Sequence, residues 1–292
     1  MRTRRPAMRP LVRTTRTRCS MIRLRWRSDL IHFSRLRLRC ATRPTTSSPN
    51  TAGGLTRVRL WAYNMCRMKR TLYHGSKDRI VKPLFGAGRL NNDYGRGFYC
   101  TESEDLAKEW AVANDHDGWA NVYSLNDDGL EVLNLNSNEY CLLHWLAVLL
   151  ENRQFETEYG LPLEAKDYLT SRFAVTYKEA DAIIGYRADD SYFTFAQDFI
   201  SGAISYSQLA SAMRLGHLGD QYVLKSRRAF GRIRHVESRP ALRSEWLGRK
   251  NARDHAARQE YLGALRHRRV PGDLRIDRII DEEIGPDDER LR

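Results

Sequence analysis

From Thr71 onward the chain alternates short apolar runs with longer amphipathic stretches, and this pattern predicts most of its elements. Thr71–Tyr73 and Gly97–Cys100 read as strands, joined by a loop rich in Gly, Asn and Asp. A helix is expected over Thr101–Asp115, started by a capping box of Thr101 and Glu104. Asn121–Leu125 and Leu130–Leu135, separated by Asn126-Asp127-Asp128-Gly129, read as a β-hairpin. Further helices are expected over Glu139–Asn152 and Leu163–Phe173, then a buried strand over Ala180–Tyr186. Ser191–Ile200 and Ser205–Met213 read as helices led by capping serines. Gln221–Lys225 and Phe230–Val236 are expected to form a strand pair. Pro240–Arg268 is charged and helical in pattern, and a short helix is expected over Arg275–Glu283. Strands scattered among helices without a βαβ rhythm indicate an α+β fold rather than a doubly wound sheet.

Charge changes the picture once it is divided along the chain. The 292 residues carry a net +13, but residues 1–67 hold 17 Arg, no Lys and one acid, Asp29, a balance of +16. The remainder has 32 bases against 35 acids, so whole-chain charge says nothing about the partner of the folded part. The Arg-rich arm, with its turn-prone patch at Arg43–Gly54, buries too little apolar surface to order itself and is expected to be disordered. A transit peptide, a nucleic-acid arm and a secretion leader are the functional readings of this arm. Non-native coding sequence before a start at Met65 or Met68 is the favoured one. A folded domain is expected over 68–292, with a core at about 70–236 and a helical portion at 240–285.

The most apolar stretch, Tyr140–Leu150, is 11 residues long, too short to span a membrane. Cysteines at 19, 40, 66, 100 and 141 show no paired spacing, so neither a disulfide framework nor a metal site is expected, and a reducing, cytoplasmic compartment fits.

Candidate chemistry concentrates in residues 71–111. His74, Gly75 and Ser76 at a strand end offer a ring donor, an unhindered main chain and a hydroxyl. That set suits a planar amide and a ribose, because glycine lets a ligand approach the backbone closely. Tyr99 and Trp110 offer flat apolar walls, or are simply core aromatics. Asp189 and Asp190 are candidate carboxylates, or helix caps. Arg187, Arg96 and Lys225 are candidate phosphate ligands, or solvated bases. No Walker loop, HExxH, GxSxG or dinucleotide fingerprint occurs, and Gly86-Ala87-Gly88 has no helix after it.

Taken in order, LYHGS, YGRGFYCT, a helix reaching Trp110, and QYVLK resemble the core of diphtheria-toxin-type ADP-ribosyltransferases, the group that includes the poly(ADP-ribose) polymerases. LYHGS, YGRGFYCTES, IIGYRADDSYF and LGDQYVLKS together more closely resemble the bacterial domain-of-unknown-function 3990 family, over roughly residues 70–285. The resemblance implies a split, distorted β-sandwich with inserted and C-terminal helices, and NAD as substrate in the cleft between His74 and Tyr99. It implies that His74 bonds the adenosine ribose, Gly75 grips the nicotinamide carboxamide through its backbone, and Tyr99 stacks beside the nicotinamide ring. Trp110 would close the other face. Ala107 stands where the family often has a carboxamide-binding Ser, so that in the resemblance Ser76 of the first motif would have to supply the hydroxyl. Gln221 stands where a Glu often orients the ribose 2′-OH and stabilises an oxocarbenium-like state, so a carboxylate is missing.

Mono-ADP-ribosyl transfer to a macromolecular acceptor is therefore the expected function, in a bacterial toxin or effector with an antitoxin as a conceivable partner. Catalytic roles fall to Gln221, His74 and Tyr99, and NAD contacts to His74, Gly75, Ser76, Tyr99 and Trp110. The alternative is a catalytically inactive module of the same fold, binding a protein through the charged helices at 239–268. Nucleic-acid binding through the Arg-rich arm is the third reading.

Overall fold

The computed structural model describes residues 69–217, 219–265 and 272–292. The arm at 1–67 and the two candidate starts lie outside the described residues. Seven strands form one sheet in the order β4-β5-β6-β2-β1-β3-β7. They are β1 (Lys69–Ser76), β2 (Phe98–Thr101), β3 (Gly118–Asn126), β4 (Val132–Asn134), β5 (Ala182–Gly185), β6 (Gln221–Leu224) and β7 (Ile233–Ala241). The α+β expectation holds. All seven strands are joined by hydrogen bonds into a single sheet, where two facing sheets had been expected.

That sheet is nearly cut in two. β1 pairs with β3 over eight register positions, but with β2 at a single one, Tyr73 opposite Thr101. Beyond Tyr73 the two strands part, and the candidate site lies at this split.

Alternation along the strands sends side chains to two cores. Phe98, Cys100, Tyr222 and Leu224 join Leu72 and Tyr123 in a small core closed by α6 (Arg227–Phe230). Val223 and Ile183, from the opposite face, join a larger core built on helices α2 (Leu142–Asn152), α3 (Leu161–Arg172), α4 (Asp190–Ile200), α5 (Tyr206–Ala212) and α8 (Ile276–Asp281). Nine of the eleven residues of α2 are buried, eight of them apolar and the ninth His144. Trp145, fully buried within it, donates its indole N–H to the Tyr186 carbonyl at 3.0 Å. The long α7 (Arg243–Leu265) is polar and lies against α1 (Glu104–Ala111) and α5. Among the described residues no helix is long and apolar enough to cross a membrane.

Three expectations need correction. The hairpin does not form: β3 pairs with β1 and β7, while β4 lies at the far edge, parallel to β5. The turn itself is present, with Gly129 at φ 69° and Leu130 N–H bonded to the Asp127 carbonyl at 3.0 Å. It carries the chain across the sheet instead of folding it back, because Asp181 accepts from the Glu131 N–H at 3.0 Å and holds β4 beside β5. Likewise β6 and β7 are not partners; β6 sits between β2 and β5. Finally, α1 is capped by Ser103, whose hydroxyl accepts from the Leu106 N–H, while Thr101 stays in β2 and accepts from the Ser103 N–H at 3.2 Å. The Ser205 cap of α5 forms as expected, reciprocated by Gln208.

Candidate functional site

At the split, His74 takes over from the missing strand pairing. Its Nδ1 lies 2.6 Å from the Tyr99 carbonyl oxygen, and its ring sits 4.4 Å from that of Phe98. A carbonyl can only accept, so Nδ1 carries the proton. Burial lowers the pKa of the ring, with the Tyr99 carbonyl opposing, so the neutral form prevails at pH 7 and Nε2 is left as an acceptor.

The sign of the pH effect follows. Below about pH 6.5 an unfolded histidine takes up a proton that folded His74 refuses, so stability falls as pH drops through that value. His74→Gln should lose part of this acid sensitivity. Urea midpoints measured from pH 7.5 to 5 that fall equally in both proteins would remove the neutral assignment.

Packing by itself already requires glycine at position 75. A Cβ there would stand 2.0 Å from the Ala107 carbonyl oxygen and 2.9 Å from Trp110 Cβ, both in α1. The small Ala107, fully buried, allows this approach of helix to strand. Ser76 faces elsewhere: its hydroxyl donates to the Asp78 carbonyl at 2.6 Å and accepts from Asn121 Nδ2 at 2.9 Å. It holds the start of the following loop and does not line the cavity described next.

A cavity of about 880 Å³ opens at the split, lined by His74, Gly75, Tyr99, Trp110 and Gln221 together with Asp93, Arg153, Arg187 and Asp189. Residues between 74 and 221, from four separated stretches of sequence, thus meet in one chamber. Tyr99 donates its hydroxyl to the Gly95 carbonyl at 2.5 Å and accepts the Tyr94 N–H at 3.1 Å. It therefore fixes the turn at 92–95, where Gly95 takes φ 72°. Burial pushes its phenol far above the ordinary range, so it is no acid at neutral pH. Lys225 donates to the Tyr94 carbonyl, and burial lowers its pKa to about 8; it braces the turn from behind and does not line the cavity.

That turn delivers Asp93, a residue the sequence did not single out. Its carboxylate is 4% exposed and accepts from Arg153 Nη1 at 2.9 Å, the Ala188 N–H at 2.9 Å and Gln221 Nε2 at 3.2 Å. Burial raises its pKa, against the pull of the Ala188 N–H and Arg153. Gln221, 5% exposed, thus spends its amide N–H on a carboxylate, while its Oε1 has no partner among the described residues. A carboxyl group stands beside Gln221 after all, supplied by a different segment of chain and paired with Arg153 on its other oxygen. The only sequence hint was an acid in the Asn-Asp-Tyr-Gly turn, which carries no periodicity.

Trp110 lines the cavity, but one face is already covered: the Arg187 guanidinium carbon lies 3.1 Å from its ring centroid. Arg187, 6% exposed, donates Nη2 to Asp189 Oδ1 at 2.7 Å. Asp189 therefore does not cap α4 with its side chain. The Asp190 side chain lies outside the described residues. Six buried side-chain polar atoms lack a protein partner among the described residues, and four belong to this chamber: Trp110 Nε1, Arg187 Nε and Nη1, and Gln221 Oε1. All four sit on side chains that line the cavity, an arrangement a polar ligand would satisfy. Among the described residues no group of three or more His, Cys, Asp and Glu side chains is placed to hold a metal ion. Cys100 and Cys141 are free thiols, each raised in pKa by burial and so poor nucleophiles.

The profile of one family, described as "Protein of unknown function (DUF3990)", matches residues 70–235, from the first residues of β1 into β7. No curated protein and no solved structure matches the chain.

Proposed function

The chain belongs to the DUF3990 family, whose description assigns no activity, and we propose, from the resemblance of its motifs to ADP-ribosyltransferases and from the cavity that gathers them, that it transfers ADP-ribose from NAD to a macromolecular acceptor. The observation that carries this reading is the convergence of His74 and Gly75, Tyr99, and Gln221 on one chamber at the split in the sheet. The near-separation of β1-β3-β7 from β4-β5-β6-β2 also supports an ADP-ribosyltransferase-like arrangement. The chemistry of the lining fits the substrate: His74 Nε2 and the unmatched Gln221 Oε1 are acceptors suited to ribose hydroxyls, and the aromatic edges suit a planar amide.

The reaction exchanges the bond from the ribose anomeric carbon to nicotinamide for one to the acceptor's nucleophile, which loses its proton. Within that chemistry His74 holds a hydroxyl as a neutral acceptor. Gln221, its amide oriented by Asp93, presents Oε1 to a second hydroxyl. Asp93 adds negative charge behind Gln221 where positive charge develops, tempered by Arg153. A toxin or effector with an antitoxin partner is a setting this activity would suit.

The inactive-module reading draws on one observation, the Trp110 face occupied by Arg187. Titration of the protein with NAD while following nicotinamide release decides between them. Release is expected from the parent protein, to be lost by at least about a hundredfold in His74→Ala, and to rise in Gln221→Glu if the carboxylate is well placed there. Neither NAD binding nor nicotinamide release in parent and Gln221→Glu would leave the interaction module standing.

A further inference from the structure

Arg187 is costly where it stands. It lies two residues beyond β5 and is almost wholly buried, yet among the described residues only Nη2 has a hydrogen-bond partner, and Nε and Nη1 have none. Burial lowers its pKa, with Asp189 and Asp93 opposing. A guanidinium taken from water with two donor groups unmatched is a burden on stability unless something else repays it.

The chamber points to what that is. Its charged lining is Lys82, Arg89, Arg153 and Arg187 against Asp93 and Asp189, a cationic excess in a stretch, 68–292, whose own charges sum to −3. Asp93 is already engaged by Arg153, which leaves Arg187 the buried cation with spare donors. Nε and Nη1 donate from different edges of one plane. That arrangement suits an anion with oxygens on two linked groups better than a single carboxylate.

We propose that Arg187 forms the anion subsite of this cavity and takes the diphosphate of a nucleotide ligand, with the Trp110 ring as the platform that keeps the guanidinium in plane. The proposal deepens the NAD reading and rests on it for the identity of the nucleotide, but the anion subsite stands on its own geometry.

The test is calorimetric titration of the full chain with inorganic pyrophosphate, ADP-ribose and nicotinamide riboside at fixed salt, comparing the parent with Arg187→Gln and Arg187→Lys. The Arg-rich arm is common to all three proteins, so only differences between them count. Affinity for pyrophosphate and ADP-ribose should fall at least about tenfold in Arg187→Gln and less in Arg187→Lys. Affinity for nicotinamide riboside, which has no phosphate, should hold. Thermal midpoints should stay level or rise in Arg187→Gln, because the burden of an unmatched cation is gone. Unchanged pyrophosphate affinity would overturn the subsite. So would a lowered midpoint with all three ligands lost together, which would make Arg187 a structural prop. Arg187-dependent binding of pyrophosphate without any NAD cleavage would keep the subsite and remove the NAD reading. NAD cleavage with ADP-ribose affinity indifferent to Arg187 would do the reverse.

Discussion

Replacing Asp93 with alanine should cost about 3 kcal/mol of stability, among the largest losses expected from any single polar side chain here. The carboxylate is the common acceptor of three donors from three elements: Arg153 at the end of α2, the Ala188 N–H beyond β5, and Gln221 at the start of β6. Truncation leaves all three without it, in a place water reaches poorly, and the large side of the sheet loses its tie to the 92–95 turn. Asp93→Asn separates the structural role from the chemical one. Its oxygen can still serve Ala188 and Gln221, but its amide N–H₂ meets the Arg153 cation, so the stability cost should drop to about 1–2 kcal/mol. The negative charge beside Gln221 disappears, and NAD cleavage should fall by roughly a hundredfold in kcat with KM little changed. Urea denaturation and steady-state kinetics read the two effects independently. An Asp93→Ala protein that unfolds at the parent midpoint would refute the structural assignment. Parent-like kcat in Asp93→Asn would take Asp93 out of the chemistry.

Gly75→Ala should destabilise the protein by about 3 kcal/mol in the absence of any ligand. The added methyl would lie 2.0 Å from a backbone carbonyl oxygen of α1, which has no rotamer through which to yield. The helix must move as a body, and it carries Trp110, whose Cβ is the next nearest atom. Ligand binding should therefore be lost through displacement of the cavity wall. Two accounts of Gly75 diverge at this point. If the glycine served only to admit a ligand to the backbone, the ligand-free variant would unfold at the parent midpoint and lose binding alone. If the packing account holds, the midpoint drops before any ligand is added. A ligand-free midpoint equal to that of the parent would restore the first account.

The local elements were legible where side-chain period dominated. The unbroken apolar run at Tyr140–Leu150 could only be a buried segment, and it is α2. The Ser205 cap, with Gln208 three residues on, was legible because both capping partners lie within one turn of chain. Partnership between strands was not. Asn121–Leu125 and Leu130–Leu135 carry the alternation of strands and a turn between them, yet nothing in an alternating pattern names the neighbour. Asp181, fifty residues downstream of the turn, decides that β4 goes to β5.

The same division runs through the site. The resemblance carried by LYHGS, YGRGFYCT, the helix reaching Trp110 and QYVLK joined His74, Gly75, Tyr99, Trp110 and Gln221, and all five line the cavity. It gave Ser76 a ligand role that its bonds to Asp78 and Asn121 do not support. It offered ligand access as the reason for Gly75 and could not show the helix that also presses on it. It could not reveal Asp93, because the residue's importance lies in donors 60, 95 and 128 positions away that meet only in the folded chain. Nor could it rank Arg187 above Arg96 and Lys225, which differ from it in burial and partners and not in residue type. Motif and period are properties of neighbouring residues and survive in one dimension. Burial, unmatched donors and the near-separation of β1 from β2 are properties of packing, and only the tertiary structure decides them.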